Sequence, residues 1–176
     1  MIALNPFQVK LKDIIISHAS ELNISANLNP VKLLATIAMK ESKFGLIRRP
    51  RYERNYGPNT NSNSTYNKSI ELQANFRLWG AWAAESYGSF QIMSQTAFEL
   101  GFSKNGLMDN PSQLWLPDDS LGIKYVLKLL NNRILKPPYS LSQIADAYNS
   151  GTFIDKYVPE DYVEDFCSIY NNFNIF

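Results

Sequence analysis

Twice in its first thirty residues the chain sets an asparagine–proline pair directly before apolar residues spaced three and four apart, at Asn5-Pro6 and at Asn29-Pro30. Proline at the first helical position sacrifices no hydrogen bond and arrives with a helical φ, so each pair reads as a helix start. The first run carries Phe7, Leu11, Ile14, Ile15, Ala19 and Leu22 on one side. The second carries Val31, Leu34, Ile37, Ala38 and Glu41 and stops at Gly45. Later periodicity predicts helices over 70–84, from a Ser94 cap to Gly101, and from Pro117-Asp118 through Ile134 to Pro137-Pro138. Two more follow, one from a Ser140/Gln143 capping box through Tyr148 to Gly151, the other from Pro159 with Tyr162, Val163, Phe166, Ile169, Tyr170 and Phe173 on its apolar side. Asn110-Pro111 marks a turn, 55–69 reads as an Asn/Ser/Thr-rich loop, and 87–93 as a short strand or extended turn around Gly88. The pattern is that of a mainly α (α+β) chain with a small extended β element, and its 176 residues suit one domain, 1–176.

Composition then removes several chemistries. With one cysteine, Cys167, there is no internal disulfide and no cysteine-based zinc cluster; with one histidine, His18, a His-dependent triad or multi-His metal site lacks its parts. No metal or organic cofactor is expected. The 17 basic and 16 acidic side chains leave a net charge of +1, too even for a nucleic-acid-binding protein. Ten Tyr, ten Phe and three Trp, together with frequent Asn, suit a groove that stacks on and hydrogen-bonds a neutral polar ligand such as a sugar. Carboxylates remain as the available reactive groups.

Charge is uneven along the chain, +5 over 1–88 and −4 over 89–176. The basic excess lies in Lys43, Arg48, Arg49, Arg51 and Arg54, the acidic excess in Asp155, Glu160, Asp161, Glu164 and Asp165. Two readings stay open: complementary solvated faces, or a basic rim that attracts an anionic polymer. No apolar run approaches the ~18 residues of a membrane span. Ile14-Ile15-Ile16, flanked by Asp13 and His18, is too short for the core of a secretory leader. That leaves a cytosolic protein, one exported by another route, or a chain without its leader.

Glu41 is the most informative single position. It continues the apolar stripe of its helix, seven residues after Leu34, and sits in the last turn before Gly45. Burial and the negative end of the helix dipole both favour the protonated carboxyl. A carboxylic acid still protonated near neutral pH is what donation to a leaving sugar oxygen requires. The alternative is a structural glutamate paired with a nearby arginine at a helix end.

The segment Ala35-Thr36-Ile37-Ala38-Met39-Lys40-Glu41-Ser42-Lys43-Phe44 resembles the catalytic-helix signature of the soluble lytic transglycosylases, a lysozyme-like family related to goose-type lysozyme. Three further motifs stand in the family's order: Gly88-Ser89-Phe90-Gln91-Ile92-Met93, Ala147-Tyr148-Asn149-Ser150-Gly151, and Tyr162-Val163 after Pro159-Glu160. Leu107 to Pro111 and Gly122 to Val126 resemble its Asp-Pro turn and following helix. The resemblance runs over about 31–163. It implies a lysozyme-like fold with the extended element beside an active-site groove. It also implies cleavage of the β-1,4 bond between N-acetylmuramic acid and N-acetylglucosamine in peptidoglycan strands, with Glu41 as general acid and then base and a 1,6-anhydro product. Ser42, Tyr87, Phe90, Gln91, Tyr148, Asn149 and Tyr162 are then the expected substrate-binding positions, with Gln91 and Asn149 as amides for the N-acetyl groups.

One departure is large. The 46 residues between Glu41 and Gly88 far exceed the short gap of compact members, with 46–75 as an insert. Within it, Arg51-Tyr52-Glu53-Arg54-Asn55-Tyr56 resembles a segment of a phage and prophage branch, and Ser86-Tyr87-Gly88 its Ser-Trp-Gly. Glu53 and Glu85 become candidates for a second carboxylate that positions water, which would make the enzyme a hydrolytic lysozyme; both equally read as surface ion pairs. The resemblance implies an endolysin or virion-associated role at the bacterial cell wall, without membrane insertion, with a phage virion or secretion assembly as a candidate partner. A non-catalytic wall-binding module on the same scaffold stays as the rival, since fold does not guarantee activity. His18 reads as packing or surface, Cys167 as a small buried hydrophobe, and Phe76, Trp79 and Trp82 as core or groove wall.

Overall fold

The computed structural model describes residues 3–135, 139–150 and 160–173. Both Asn-Pro pairs open helices, α1 (Pro6–His18) and α2 (Pro30–Ser42), with the asparagine side chains accepting from Gln8 N at 2.9 Å and Lys32 N at 3.0 Å. Leu33, Leu34, Ala35, Ile37 and Ala38 are fully buried, so α2 is apolar on nearly every side over its middle turns. A helix with that pattern must be covered all round. Helix α1 packs on it from one side and α8 (Glu160–Asn172) from another, with α7 (Leu141–Ser150) against α8.

Between these elements run β1 (Arg51–Tyr52), α3 (Thr65–Lys68), α4 (Ile70–Trp79), β2 (Glu85–Tyr87), β3 (Ile92–Met93), α5 (Ser94–Glu99), β4 (Ser103–Lys104), β5 (Leu107–Met108) and α6 (Ser120–Leu129). Strands β1, β2 and β3 form an antiparallel sheet in that order, with Arg51 opposite Ser86 and Ser86 opposite Met93; β4 and β5 form a separate hairpin. The described chain is therefore mostly helical with small sheets. None of its described helices is long and apolar enough to cross a membrane.

The exit of α2 and the turn after β2 are stitched together. Lys43 and Phe44 take left-handed φ values of 52° and 55° before Gly45 at 80°, which reverses the chain and buries Phe44 completely. The Ser42 hydroxyl lies 2.9 Å from the Ala38 carbonyl and 2.7 Å from the Ser89 carbonyl, and accepts from Gly45 N at 2.8 Å. On the other side of that turn Asp119, 1% exposed, accepts from Ser89 N at 3.1 Å and from the Ser89 hydroxyl. Arg48 supplies the countercharge, its Nε 3.7 Å from Asp119 and its guanidinium 3.9 Å from the centre of the Phe7 ring. Arg48 is thus withdrawn from any basic rim.

Several expected boundaries move. Helix α4 ends at Trp79, and Gly80, at φ 59°, leads into a 3-10 turn over Gly80–Ala84 instead of more α-helix. The extended stretch at 87–93 divides into β2 and β3 with the 88–91 turn between. The expected loop at 55–69 contains α3, and 54–56 forms a 3-10 turn. Ser94 does not cap α5; its hydroxyl donates to the Ala83 carbonyl at 2.7 Å, and Met93 takes the cap position. The long helix expected from Pro117 starts at Ser120 and passes into a π turn over Leu130–Ile134, closed by Leu135 N on the Leu130 carbonyl at 2.7 Å. The Ser140/Gln143 box forms as expected. Cys167 is half-buried rather than buried, because Phe166 and Tyr170 take the inner face of α8. The expected stops at Pro137-Pro138 and Gly151, the start at Pro159, and Asp155 lie outside the described residues.

Gly88 has φ 75°, and a Cβ there would lie 2.2 Å from Asp119 Oδ1. Gly88→Ala therefore combines backbone strain with displacement of a buried carboxylate, and a loss of about 2 kcal/mol or more is expected in urea unfolding.

Candidate functional site

A cavity of about 450 Å³ opens between the C-terminal end of α2, the β1–β2–β3 sheet, α5, the end of α6 and the end of α7. Glu41 reaches it from the penultimate position of α2. Glu41 is half-buried at the end of the buried middle turns of α2, and desolvation of its carboxyl raises its pKa above the ordinary glutamate value. The Tyr162 hydroxyl, donating to Glu41 Oε1 at 2.6 Å, opposes that rise, as do the charges of Arg51 and Lys40; Glu53 reinforces it. The net direction is upward. Such a group can give up a proton at a pH where an exposed glutamate has already lost its own.

Tyr162 stands on α8 behind Glu41 and holds the acid rather than lining the cavity. Its ring lies under Lys40 Nζ at 4.6 Å, and Lys40 reaches Asp165 one turn further along α8 at 2.6 Å. Burial and then the neighbouring Glu41 charge push the phenol well above its usual range, so it remains a donor. Tyr148, on α7, lines the cavity; its hydroxyl donates to the Phe90 carbonyl at 2.7 Å, and burial and Glu41 likewise keep it protonated. Asn149, next along α7, is exposed on the same cavity.

Gln91 also lines the cavity, held by an unusual backbone, φ 47°. Its amide is engaged at both ends: Nε2 donates to the Gly88 carbonyl at 2.9 Å, and Oε1 accepts from the Ser86 hydroxyl at 2.9 Å. A ligand meets an oriented amide with one acceptor lone pair to spare.

Besides Tyr162, three expected binding positions lie off the cavity. Ser42 is 1% exposed, with its hydroxyl consumed by the helix-exit stitch. Phe90, 1% exposed, faces the core, and contributes through its carbonyl. Tyr87 is 2% exposed and its hydroxyl approaches the Trp82 carbonyl and the Glu85 carboxylate, each at 2.9 Å. The two carboxylate candidates separate for a simple reason. In β2, residues alternate between faces, and Ser86 is the member that lines the cavity, so Glu85 and Tyr87 share the opposite face. Glu53, just beyond β1, lies on the cavity, accepting from Arg51 Nε at 2.6 Å and contacting the Ser86 hydroxyl at 3.4 Å.

Among the cavity residues that sequence reasoning did not name as site members are four with charged or phenolic side chains, Arg51, Tyr56, Glu99 and Arg133. The first two come from the insert, where the signals were the resemblance segment and, for Arg51, the basic excess. Glu99 on α5 and Arg133 in the π turn pair at 3.0 Å across 34 residues of sequence, a proximity no local spacing announces. Among the described residues no group of three His, Cys, Asp or Glu is placed to hold a metal ion.

No protein-family model matches this chain, and no curated protein or solved structure matches it either.

Two outcomes follow from the electrostatics of Glu41. Because its folded-state pKa is raised, protonation favours the folded state; stability falls as pH rises from the ordinary glutamate range through the raised value. Glu41→Gln removes that penalty, so its thermal midpoint should exceed wild type at pH 7 to 8, with the gain vanishing near about pH 4. Tyr162→Phe deletes the interaction that lowers the pKa, so the Glu41 carboxyl resonance should titrate still higher in carbon NMR. The variant should also lose about 1–3 kcal/mol in unfolding.

Proposed function

We propose that this chain is a peptidoglycan-cleaving glycosidase of lysozyme-like fold, acting as a lytic transglycosylase on the β-1,4 bond between N-acetylmuramic acid and N-acetylglucosamine. The observation that carries the reading is Glu41: a desolvated carboxyl on the end of a buried helix, held at 2.6 Å by Tyr162 and opening onto a cavity of about 450 Å³ edged by the amides of Gln91 and Asn149 and the ring of Tyr148. That volume suits a ligand of a few sugar rings' breadth. The four ordered motifs from Glu41 to Tyr162 support the same reading.

In the proposed reaction the protonated Glu41 carboxyl gives its proton to the glycosidic oxygen as the bond to the muramic C1 breaks. The resulting carboxylate, stabilised by the Tyr162 hydroxyl and the Arg51 charge, takes the proton from the muramic C6 hydroxyl as that oxygen closes on C1. The proton borrowed is returned, no water is consumed, and a 1,6-anhydro end is left. One enzyme carboxylate suffices, unlike schemes that require two. Tyr148 and Tyr162, kept protonated by burial, do not compete as bases.

A second reading is favoured by Glu53, which lines the same cavity and acts electrostatically on Glu41. If Glu53 positions water at C1, the product is a reducing end and the enzyme is a muramidase. Either activity belongs at the bacterial cell wall, as an endolysin or as a virion component that opens the wall.

Purified peptidoglycan digested by wild type, Glu41→Gln and Glu53→Gln, with products read by mass spectrometry, separates the readings. Anhydro-muropeptides are expected from wild type and from Glu53→Gln, with a rate about 10²–10⁴-fold lower in Glu41→Gln. Reducing ends that disappear in Glu53→Gln would establish hydrolysis instead. No product from wild type would leave a wall-binding module. As pH rises through the raised pKa of Glu41 the acid form is lost, so activity should decline on the alkaline side later than for an ordinary glutamate.

A further inference from the structure

The residue before the acid is a lysine. Lys40 and Glu41 are consecutive on α2, yet the Lys40 ammonium pairs with Asp165 of α8, at 2.6 Å. Among the described residues no ion pair joins Lys40 to Glu41. The same ammonium lies 4.6 Å from the centre of the Tyr162 ring, and the Tyr162 hydroxyl donates to Glu41 Oε1 at 2.6 Å. Cation and acid are thus held one phenol ring apart. Neither Lys40 nor Asp165 lines the cavity, so the pair faces no ligand there.

The two partners differ in exposure, 17% for the Lys40 side chain and 58% for that of Asp165. The lysine is drawn inward toward the desolvated carboxyl, and the aspartate meets it from the solvent side. An ion pair of that accessibility adds little to stability, so its placement calls for another reason. The remaining charges that act on Glu41 are Arg51 and Glu53 from the β1 wall, and these two are paired with each other at 2.6 Å. Tyr148, from α7, stays neutral. Each cation that acts on Glu41 is therefore occupied by a carboxylate other than Glu41. The reason is chemical. A lysine carries its charge on a flexible four-carbon stem, and direct contact with an ammonium would favour the ionised glutamate, which has no proton to donate.

We infer that Asp165 is a positioning residue for the proposed acid: by fixing the Lys40 ammonium over the Tyr162 ring, it withholds that cation from the Glu41 carboxylate and leaves Tyr162 as the partner of Oε1. Asp165 touches no substrate and acts through Lys40. Its effect on rate rests on the proposed peptidoglycan-cleaving function; its effect on the protonation of Glu41 does not.

Carbon NMR of the Glu41 carboxyl across pH, with kcat and KM on purified peptidoglycan, provides the test. In Asp165→Asn the Lys40 ammonium is released to Glu41, whose resonance should titrate about one pH unit lower or more. The alkaline limb of kcat should move down with it, while KM stays unchanged because neither residue lines the cavity. Adding Lys40→Met to Asp165→Asn should return the Glu41 titration to the wild-type value or above, a rescue that a folding defect would not show. An unchanged or raised titration in Asp165→Asn, or a lowered one that persists in the double variant, would overturn the role of Asp165 alone. No cleavage by wild type would overturn the proposed function, while the titrations still decide what Asp165 does.

Discussion

A buried carboxylate with a buried partner governs this structure. Asp119, gripped by the backbone and hydroxyl of Ser89 and balanced by Arg48, fixes the 88–91 turn, and the Ser89 carbonyl in turn meets Ser42 at the exit of α2. Removing a carboxylate from water is costly, and burial raises its pKa here despite the Ser89 bonds and Arg48. What it returns is register. Gln91, the Phe90 carbonyl that receives Tyr148, and the helix end that carries Glu41 are all referred to one point.

From that point the cavity is assembled by rigid elements. Helix α2 brings the acid, α8 brings the hydroxyl that restrains it, α7 brings Tyr148 and Asn149, and the insert contributes Arg51, Glu53 and Tyr56 as the opposite wall. The same desolvation that destabilises the Glu41 carboxylate gives the carboxyl its proposed capacity as an acid, a trade of stability for reactivity inside one side chain.

Much of this was legible in the sequence, and the limits have physical causes. The apolar stripe from Leu34 to Glu41 announced a carboxyl on a buried face because helical periodicity is local. Gln91, Tyr148 and Asn149 were found through motifs and do reach the cavity. Ser42, Tyr87 and Phe90 belong to the same motifs but face inward, since a motif names positions and not the direction of side chains. Choosing Glu53 over Glu85 depended on the pleat of β2, and the start of that strand was not evident. Glu99 and Arg133 meet only through tertiary packing, and the π turn that carries Arg133 leaves no signature that periodicity can read.

Tyr162 and Glu41 lie 121 residues apart in sequence. The restrained acid therefore cannot exist before α8 has been made. Until α8 emerges from the ribosome, Glu41 lacks its hydroxyl partner and the cover of that helix, and its carboxyl is correspondingly wetter. Assembly of the site therefore waits for α8, made long after α2, so the order of synthesis is itself built into the chemistry of one hydrogen bond.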